Sequence, residues 1–237
     1  MNIAEKLTTI AENEQRVFDA GMSKAESDFW DRIQGDNGTR TIYDFGFKAW
    51  RMEYIRPKYK VVPKRTSDTN LRFVFESAKV KKLESKYFDF SNISFNANAT
   101  NTQSIYGFFR YCGVLEEIED IGIGAGGYYN TFNRCEKLHT IAVMRCVKEG
   151  TYQSAFTNCY ELQNITIEGV IGNDITFKDS SKLTIESLRS IISALYDFVG
   201  NGETETRTLT LHQNAYDRSP EEIIEEAKEK GWSVVVA

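Results

Sequence analysis

Three segments in the middle of this chain share one pattern: Phe109-Arg-Tyr-Cys112-Gly-Val-Leu115-Glu-Glu-Ile118, Phe132-Asn-Arg-Cys135-Glu-Lys-Leu138-His-Thr-Ile141 and Phe156-Thr-Asn-Cys159-Tyr-Glu-Leu162-Gln-Asn-Ile165. Each reads F-x-x-C-x-x-L-x-x-I, and successive copies start 23 and then 24 residues apart. One unit of that size cannot bury its own Phe, Cys, Leu and Ile. Neighbouring units have to share a continuous interior, which makes the chain quasi-one-dimensional. The spacing therefore predicts an α/β solenoid of about four rungs.

The residues after each Ile support this reading. Ile118-Glu-Asp-Ile121, Ile141-Ala-Val143-Met144 and Ile165-Thr-Ile167-Glu168 alternate or run apolar, as short strands of a parallel sheet do. If alternation is strict, Glu119, Ala142, Met144, Thr166 and Glu168 point away from the core, and they form the predicted binding face. A degenerate earlier copy is expected near Leu71, with Phe73, Phe75, Ala78 and Leu83 followed by Tyr87-Phe-Asp-Phe90. Its Cys position holds Ala78, and its spacing differs from that of the other three.

The flanks read differently from the repeats. Ile3, Leu7, Ile10 and Val17, then Phe18, Met22, Ala25, Phe29 and Ile33, follow helical spacing and predict a helical N-terminal arm over 1–38, closed by Gly35-Asp-Asn-Gly38. Such a stripe suits either packing on the first rung or a homo-oligomer formed through the N-terminal helix. Residues 39–70 read as a connecting segment, 71–180 as the repeat unit and 181–237 as an α/β C-terminal cap. In that cap Thr184 is expected to cap a helix carrying Leu188, Ile191, Ile192 and Leu195. Thr206 to His212 reads as a strand. Ser219-Pro220-Glu221-Glu222 reads as a capping box with proline in the first turn, Gly231 as a stop, and Trp232 to Val236 as a last strand.

The F-x-x-C-x-x-L-x-x-I unit resembles the BspA-type leucine-rich repeat of bacterial surface and phage proteins. The flanks extend the likeness to leucine-rich-repeat proteins encoded among phage and prophage tail genes of Gram-positive gut bacteria. They do so through Ala4-Glu-Lys-Leu7, Val17-Phe-Asp-Ala-Gly21, Phe29-Trp30, Arg40-Thr-x-Tyr43, Trp50, Thr208-Leu-Thr-Leu211 and Lys230-Gly231-Trp232. The resemblance implies a leucine-rich-repeat fold and a phage setting, and it brings no catalytic residues with it.

Chemistry-bearing patterns are sparse. Cys112, Cys135 and Cys159 share one repeat position, so they are expected as buried free thiols acting as small hydrophobes. There is no C-x-x-C pair, and His139 and His212 lie in unrelated elements, so no convergent zinc ligands are expected. Gly122-Ile-Gly-Ala-Gly-Gly127 lacks the following Lys of a phosphate loop and reads as an irregular turn. No facing carboxylate pair, serine elbow or dinucleotide fingerprint is present. The expectation is a protein that is not an enzyme and carries no cofactor or metal.

A net charge of −5 argues against a nucleic-acid partner. The basic run of Arg56, Lys58, Lys60, Lys64 and Arg65 lies between Pro57 and Pro63 and reads as a solvated linker. No apolar run approaches the roughly 20 residues of a membrane span, so no membrane insertion is expected. The opening MNIAEKLTTIAENEQ has acids and amphipathic spacing where a secretory signal has a basic end and an apolar run, which predicts a chain made in the host cytoplasm. Three functions follow. The first is a non-catalytic binding protein of a phage tail or baseplate, found in the virion, with a neighbouring protein or a host-surface glycan as partner. The others are a soluble inhibitor of a host defence protein in the cytoplasm, and a carbohydrate-binding module.

Overall fold

A computed structural model describes residues 75–91, 106–123 and 126–237 of the chain. The helical arm, the connecting segment, the basic run at 56–65 and the start of the degenerate copy near Leu71 all lie outside the described residues. What is described is an α/β arrangement of two parallel sheets with helices. Four strands, β1 (Lys82–Leu83), β2 (Glu117–Ile118), β3 (Thr140–Cys146) and β4 (Asn164–Gly169), pair in parallel and in chain order. Their register puts Leu83, Ile118, Ile141 and Ile165 side by side, so the last position of each motif copy lies in one ladder. All four are buried. The expected strand at Ile118–Ile121 is shorter than the alternation suggested and ends at Ile118.

The other end of the motif is a turn. The backbone N–H of the third residue after each Phe donates to that Phe's carbonyl: Ala78 to Phe75, Cys112 to Phe109, Cys135 to Phe132 and Cys159 to Phe156, at 2.9 to 3.1 Å. The residue between them, Ser77, Tyr111, Arg134 or Asn158, has a left-handed backbone with φ from 59° to 62°. This turn swings the third residue's side chain back into the interior. Cys112, Cys135 and Cys159 then donate from Sγ to the carbonyls of Phe75, Phe109 and Phe132, at 2.8, 3.1 and 3.1 Å. The phenylalanine rings lie face to face along the same line, with centroids 5.5 Å (Phe75–Phe109), 5.7 Å (Phe109–Phe132), 5.5 Å (Phe132–Phe156) and 4.6 Å (Phe156–Phe177) apart.

Phe177 reveals a further turn that the sequence reading passed over. Ser180 N–H donates to the Phe177 carbonyl at 2.9 Å, and Phe177, Ser180 and Leu183 are fully buried. A helix follows it in place of a strand. The segment expected as a degenerate copy is described from Phe75 onward, where Phe75, Ala78 and Leu83 are buried. Its shorter spacing is absorbed between them, where Val80 is the buried residue.

The second sheet, β5 (Ile175–Phe177), β6 (Arg207–Leu211) and β7 (Trp232–Val236), is also parallel, in the order β5-β6-β7. Parallel neighbours need crossovers. The first carries α1 (Ile185–Ser193), and the second carries α2 (Gln213–Arg218) and α3 (Glu221–Glu229). Thr184 caps α1 as expected, accepting from Ser187 N–H. Leu188, Ile191 and Ile192 are buried, and their apolar face joins the same hydrophobic core as the motif residues. Gly231, at φ +89°, turns the chain from α3 into β7.

The capping box is corrected. Pro220 occupies the cap of α3 and makes no side-chain cap bond. Ser219 instead terminates α2, with its hydroxyl on the Ala215 carbonyl at 2.9 Å. Because α2 ends only one residue earlier, the same serine can finish one helix or start the next, and the preceding carbonyl is the nearer partner.

The open edge of β4 is closed by α1. Ser187 Oγ accepts from Ile165 N–H at 3.0 Å and donates to the Gln163 carbonyl at 2.8 Å, and Ser190 Oγ accepts from Ile167 N–H at 2.8 Å. Two hydroxyls thus satisfy the amides that a further strand would take, which removes an edge prone to pairing with other chains.

Two outcomes follow for stability and reactivity. Leu138→Ala or Leu162→Ala, at fully buried positions, should lower the unfolding free energy by about 2–5 kcal/mol in urea titration. Thr166→Ala, on the exposed side of β4, should change it by less than about 0.5 kcal/mol. The four cysteines are free and buried, and burial pushes Cys112 and Cys146 up to about 12. A thiol-reactive probe at pH 8 should therefore leave all four unlabelled until denaturant is added.

Candidate functional site

The outward face of the four-stranded sheet is built from the residues between the buried ones. Glu119, Ala142, Thr166 and Glu168 lie there, partly or fully exposed. Met144 does not. It is 1% exposed and belongs to the core. The pairing of β3 with β4 shifts register between Ile141 and Met144, so a bulge inserts a residue and reverses the alternation beyond it. Met144 then pairs with Ile167 inside, and Arg145 with Glu168 outside.

Charges on this face answer one another. Lys82 Nζ lies 3.1 Å from Glu117 and 2.9 Å from Glu119. Glu119 also accepts from the Ser85 N–H and hydroxyl at 2.8 and 2.9 Å. The Lys82 ammonium first, and the Ser85 donors after it, hold the Glu119 carboxyl down to about 2. At the other end Arg145 forks onto Asp120 at 2.7 and 2.6 Å and reaches Glu168 at 3.1 Å. The Arg145 guanidinium keeps Asp120 below the usual carboxylate range.

The bulge that buries Met144 is what delivers Arg145 to this position. Strict alternation in the sequence gave no sign of it. Between the two charged ends the face is polar, with Asn164 Nδ2 donating to Thr140 Oγ1 at 3.4 Å and His139 Nδ1 beside the same hydroxyl at 3.0 Å.

Beside Arg145 is a shallow depression of about 400 Å³ walled by Phe88, Asp89, Asp120, Gly122 and Arg145. Its carboxylates are engaged within the chain: Asp120 by Arg145 and the Gly122 N–H, and Asp89 by the Ser91 N–H and hydroxyl. Among the described residues no three His, Cys, Asp or Glu side chains converge as a metal site would require, and no helix is long and apolar enough to cross a membrane.

The Phe turns carry a different set of side chains. Tyr111 is 39% exposed and Tyr160 47%. The guanidinium carbons of Arg110 and Arg134 lie 4.5 and 5.6 Å from the Tyr111 ring centroid. Tyr106 and Tyr129 are stacked at 4.9 Å. The two positions between the recurring Phe and the recurring Cys, which hold Arg110, Tyr111 and Arg134, vary from copy to copy, so the recurrence that marked the core was silent about them.

Compared with protein families, curated proteins and solved structures, the chain matches none.

The Glu119 carboxyl is lowered in the folded chain, so its stabilising contribution is complete above the ordinary carboxylate pKa and is lost as pH falls toward 2. The stability difference between the wild-type chain and Glu119→Gln, measured by denaturant unfolding, should be present at pH 7 and shrink between about pH 4.5 and pH 2.

Proposed function

We propose that the chain is a leucine-rich-repeat-like solenoid of the BspA type whose work is binding another macromolecule and not catalysis. One observation carries the reading. Successive motif copies are joined strand by strand and turn by turn, in chain order, with their shared residues in common buried lines. Units joined in this way present extended surfaces, which suit recognition of a large partner. In the described sheet the polar side chains lock one another in place: Lys82 with Glu119, and Arg145 with Asp120 and Glu168. This arrangement supports a preorganised surface, which loses less freedom on docking.

The setting we propose is a phage tail or baseplate, with the chain contacting a host-surface component or a neighbouring virion protein. The support is the likeness of its flanks, Thr208-Leu-Thr-Leu211 and Lys230-Gly231-Trp232 among them, to phage-encoded repeat proteins. A second reading, a soluble inhibitor of a host defence protein, is favoured by the four free thiols, which suit a reducing compartment.

Immunogold electron microscopy of purified particles separates the two. Labelling at a tail or baseplate is the expected result, and particles without label overturn the tail reading. Stoichiometric capture of one host protein from lysate, with unlabelled particles, is the outcome that the inhibitor reading requires.

A further inference from the structure

We propose that the turn face around Tyr111 is a docking site for an acidic peptide segment of a partner protein, with Arg110 and Arg134 taking its carboxylates. The site lies on the turn side, away from the outward sheet face, and stands whichever partner the binding protein has.

The argument begins with the backbone. Four equivalent turn positions, Ser77, Tyr111, Arg134 and Asn158, adopt left-handed φ values between 59° and 62°. Asparagine and glycine take this conformation at low cost, while a bulky side chain is strained in it. Asn158 fits the rule. Tyr111 and Arg134 break it, and neither recovers the strain by burial, since both are exposed. Strain held without a packing return marks a residue retained for what it presents to solvent.

These two rule-breaking side chains meet. Arg134 lies over the Tyr111 ring at 5.6 Å, and Arg110 over the same ring at 4.5 Å. Arg110 Nη2 donates to Tyr111 Oη at 2.7 Å, which leaves the phenol's own proton to be donated elsewhere.

Both cations are short of counter-charge. The Arg110 ion pair with Glu76 is long, at 3.7 Å, and its buried Nε has no hydrogen-bond partner. Arg134 makes no ion pair among the described residues. Elsewhere Lys82, Arg145, Lys148, Lys182 and Arg207 are each within about 3.1 Å of a carboxylate.

The group that suits these donors is an anion of carboxylate geometry. Guanidinium forks bind it bidentately, and the Tyr111 hydroxyl adds a donor. Tyrosine with arginine is also the composition of protein-interface hot spots. A neutral sugar fits less well, because the guanidinium groups already cover the ring on which it would stack. Nucleic acid fits less well too, because two arginines on a chain of net charge −5 neutralise few phosphates.

The test uses the full chain and three fluorescent probes in anisotropy titrations at low salt: octaglutamate, octaglutamine and an eight-residue oligothymidylate. Octaglutamate should bind, and octaglutamine should not. Tyr111→Asn and the double variant Arg110→Gln/Arg134→Gln should each weaken octaglutamate by at least about fivefold, the scale of one or two exposed charge contacts. Lys86→Gln, a cation elsewhere on the surface, should leave it unchanged. Tyr111→Asn should also keep the melting temperature or raise it by a few degrees, because asparagine relieves the turn. The proposal is overturned if octaglutamate fails to bind, if octaglutamine or oligothymidylate binds as well, or if Lys86→Gln matches the double variant. It is equally overturned if Tyr111→Asn lowers the melting temperature by several degrees, which would show that the tyrosine is held for packing.

Discussion

The carbonyl oxygens of Phe75, Phe109 and Phe132 each accept two hydrogen bonds, and the motif copies are arranged around that fact. Phe109 accepts from Cys112 N–H at 3.1 Å, closing its own turn, and from Cys135 Sγ at 3.1 Å, reaching into the next copy. Phe132 does the same with Cys135 N–H and Cys159 Sγ. A buried carbonyl has two lone pairs and no water, so using both removes a cost that is otherwise repeated at every turn. The arrangement also dictates residue type. The third position needs a side chain small enough to fit beneath the turn; cysteine there also donates weakly, Ala78 fills it without donating, and Ser180 donates instead to the Cys159 carbonyl at 3.2 Å. The first position needs a flat ring to lie on its neighbour. Once the turns are seated one against another, the following Leu and Ile have no choice of direction, and the strands pair in parallel.

That logic explains which parts of the fold were legible in the residues. Phe, Cys, Leu and Ile recur because each copy meets the same interior, and interior environments select side chains narrowly. The turn at Phe177 escaped because Ser180 replaces the cysteine and a helix replaces the strand, removing two of the four markers at once. Met144 was placed on the wrong side because alternation assumes an unbroken ladder, and the bulge between Ile141 and Met144 is decided by how β3 fits β4. Ser219 was read as starting a helix because serine before Pro-Glu-Glu is a fair local signal. The competing carbonyl of Ala215 belongs to a short helix that the periodicity did not reveal. The Arg110–Tyr111–Arg134 cluster was invisible for the opposite reason to the core, since surface positions differ from copy to copy.

The two sides of the molecule handle charge differently. In the four-stranded sheet Lys82 and Arg145 are each met by acids from neighbouring copies, as Lys82 is by Glu117 and Glu119. These are cross-strand pairs of modest individual value, and they hold the face in a single arrangement. At the turns backbone hydrogen bonds also join one copy to the next, Tyr111 N–H to the Asn133 carbonyl and Arg134 N–H to the Thr157 carbonyl at 2.8 Å each, but the side chains there are not paired as charges across copies in the same way. Arg134, at one of the left-handed positions, keeps its charge available although the chain as a whole is acidic.

The serine hydroxyls of α1 on the edge of β4 have a consequence for how such a chain lengthens. Ser187 and Ser190 occupy the amides of Ile165 and Ile167 with side chains drawn from one particular helix. A new unit appended after β4 would displace that helix and strand the core beneath it. A unit duplicated between Phe109 and Phe156 would meet a neighbour of its own kind on each side and disturb neither end. Growth by internal duplication is thus the tolerated route, and copy number can drift while the terminal seal is inherited intact.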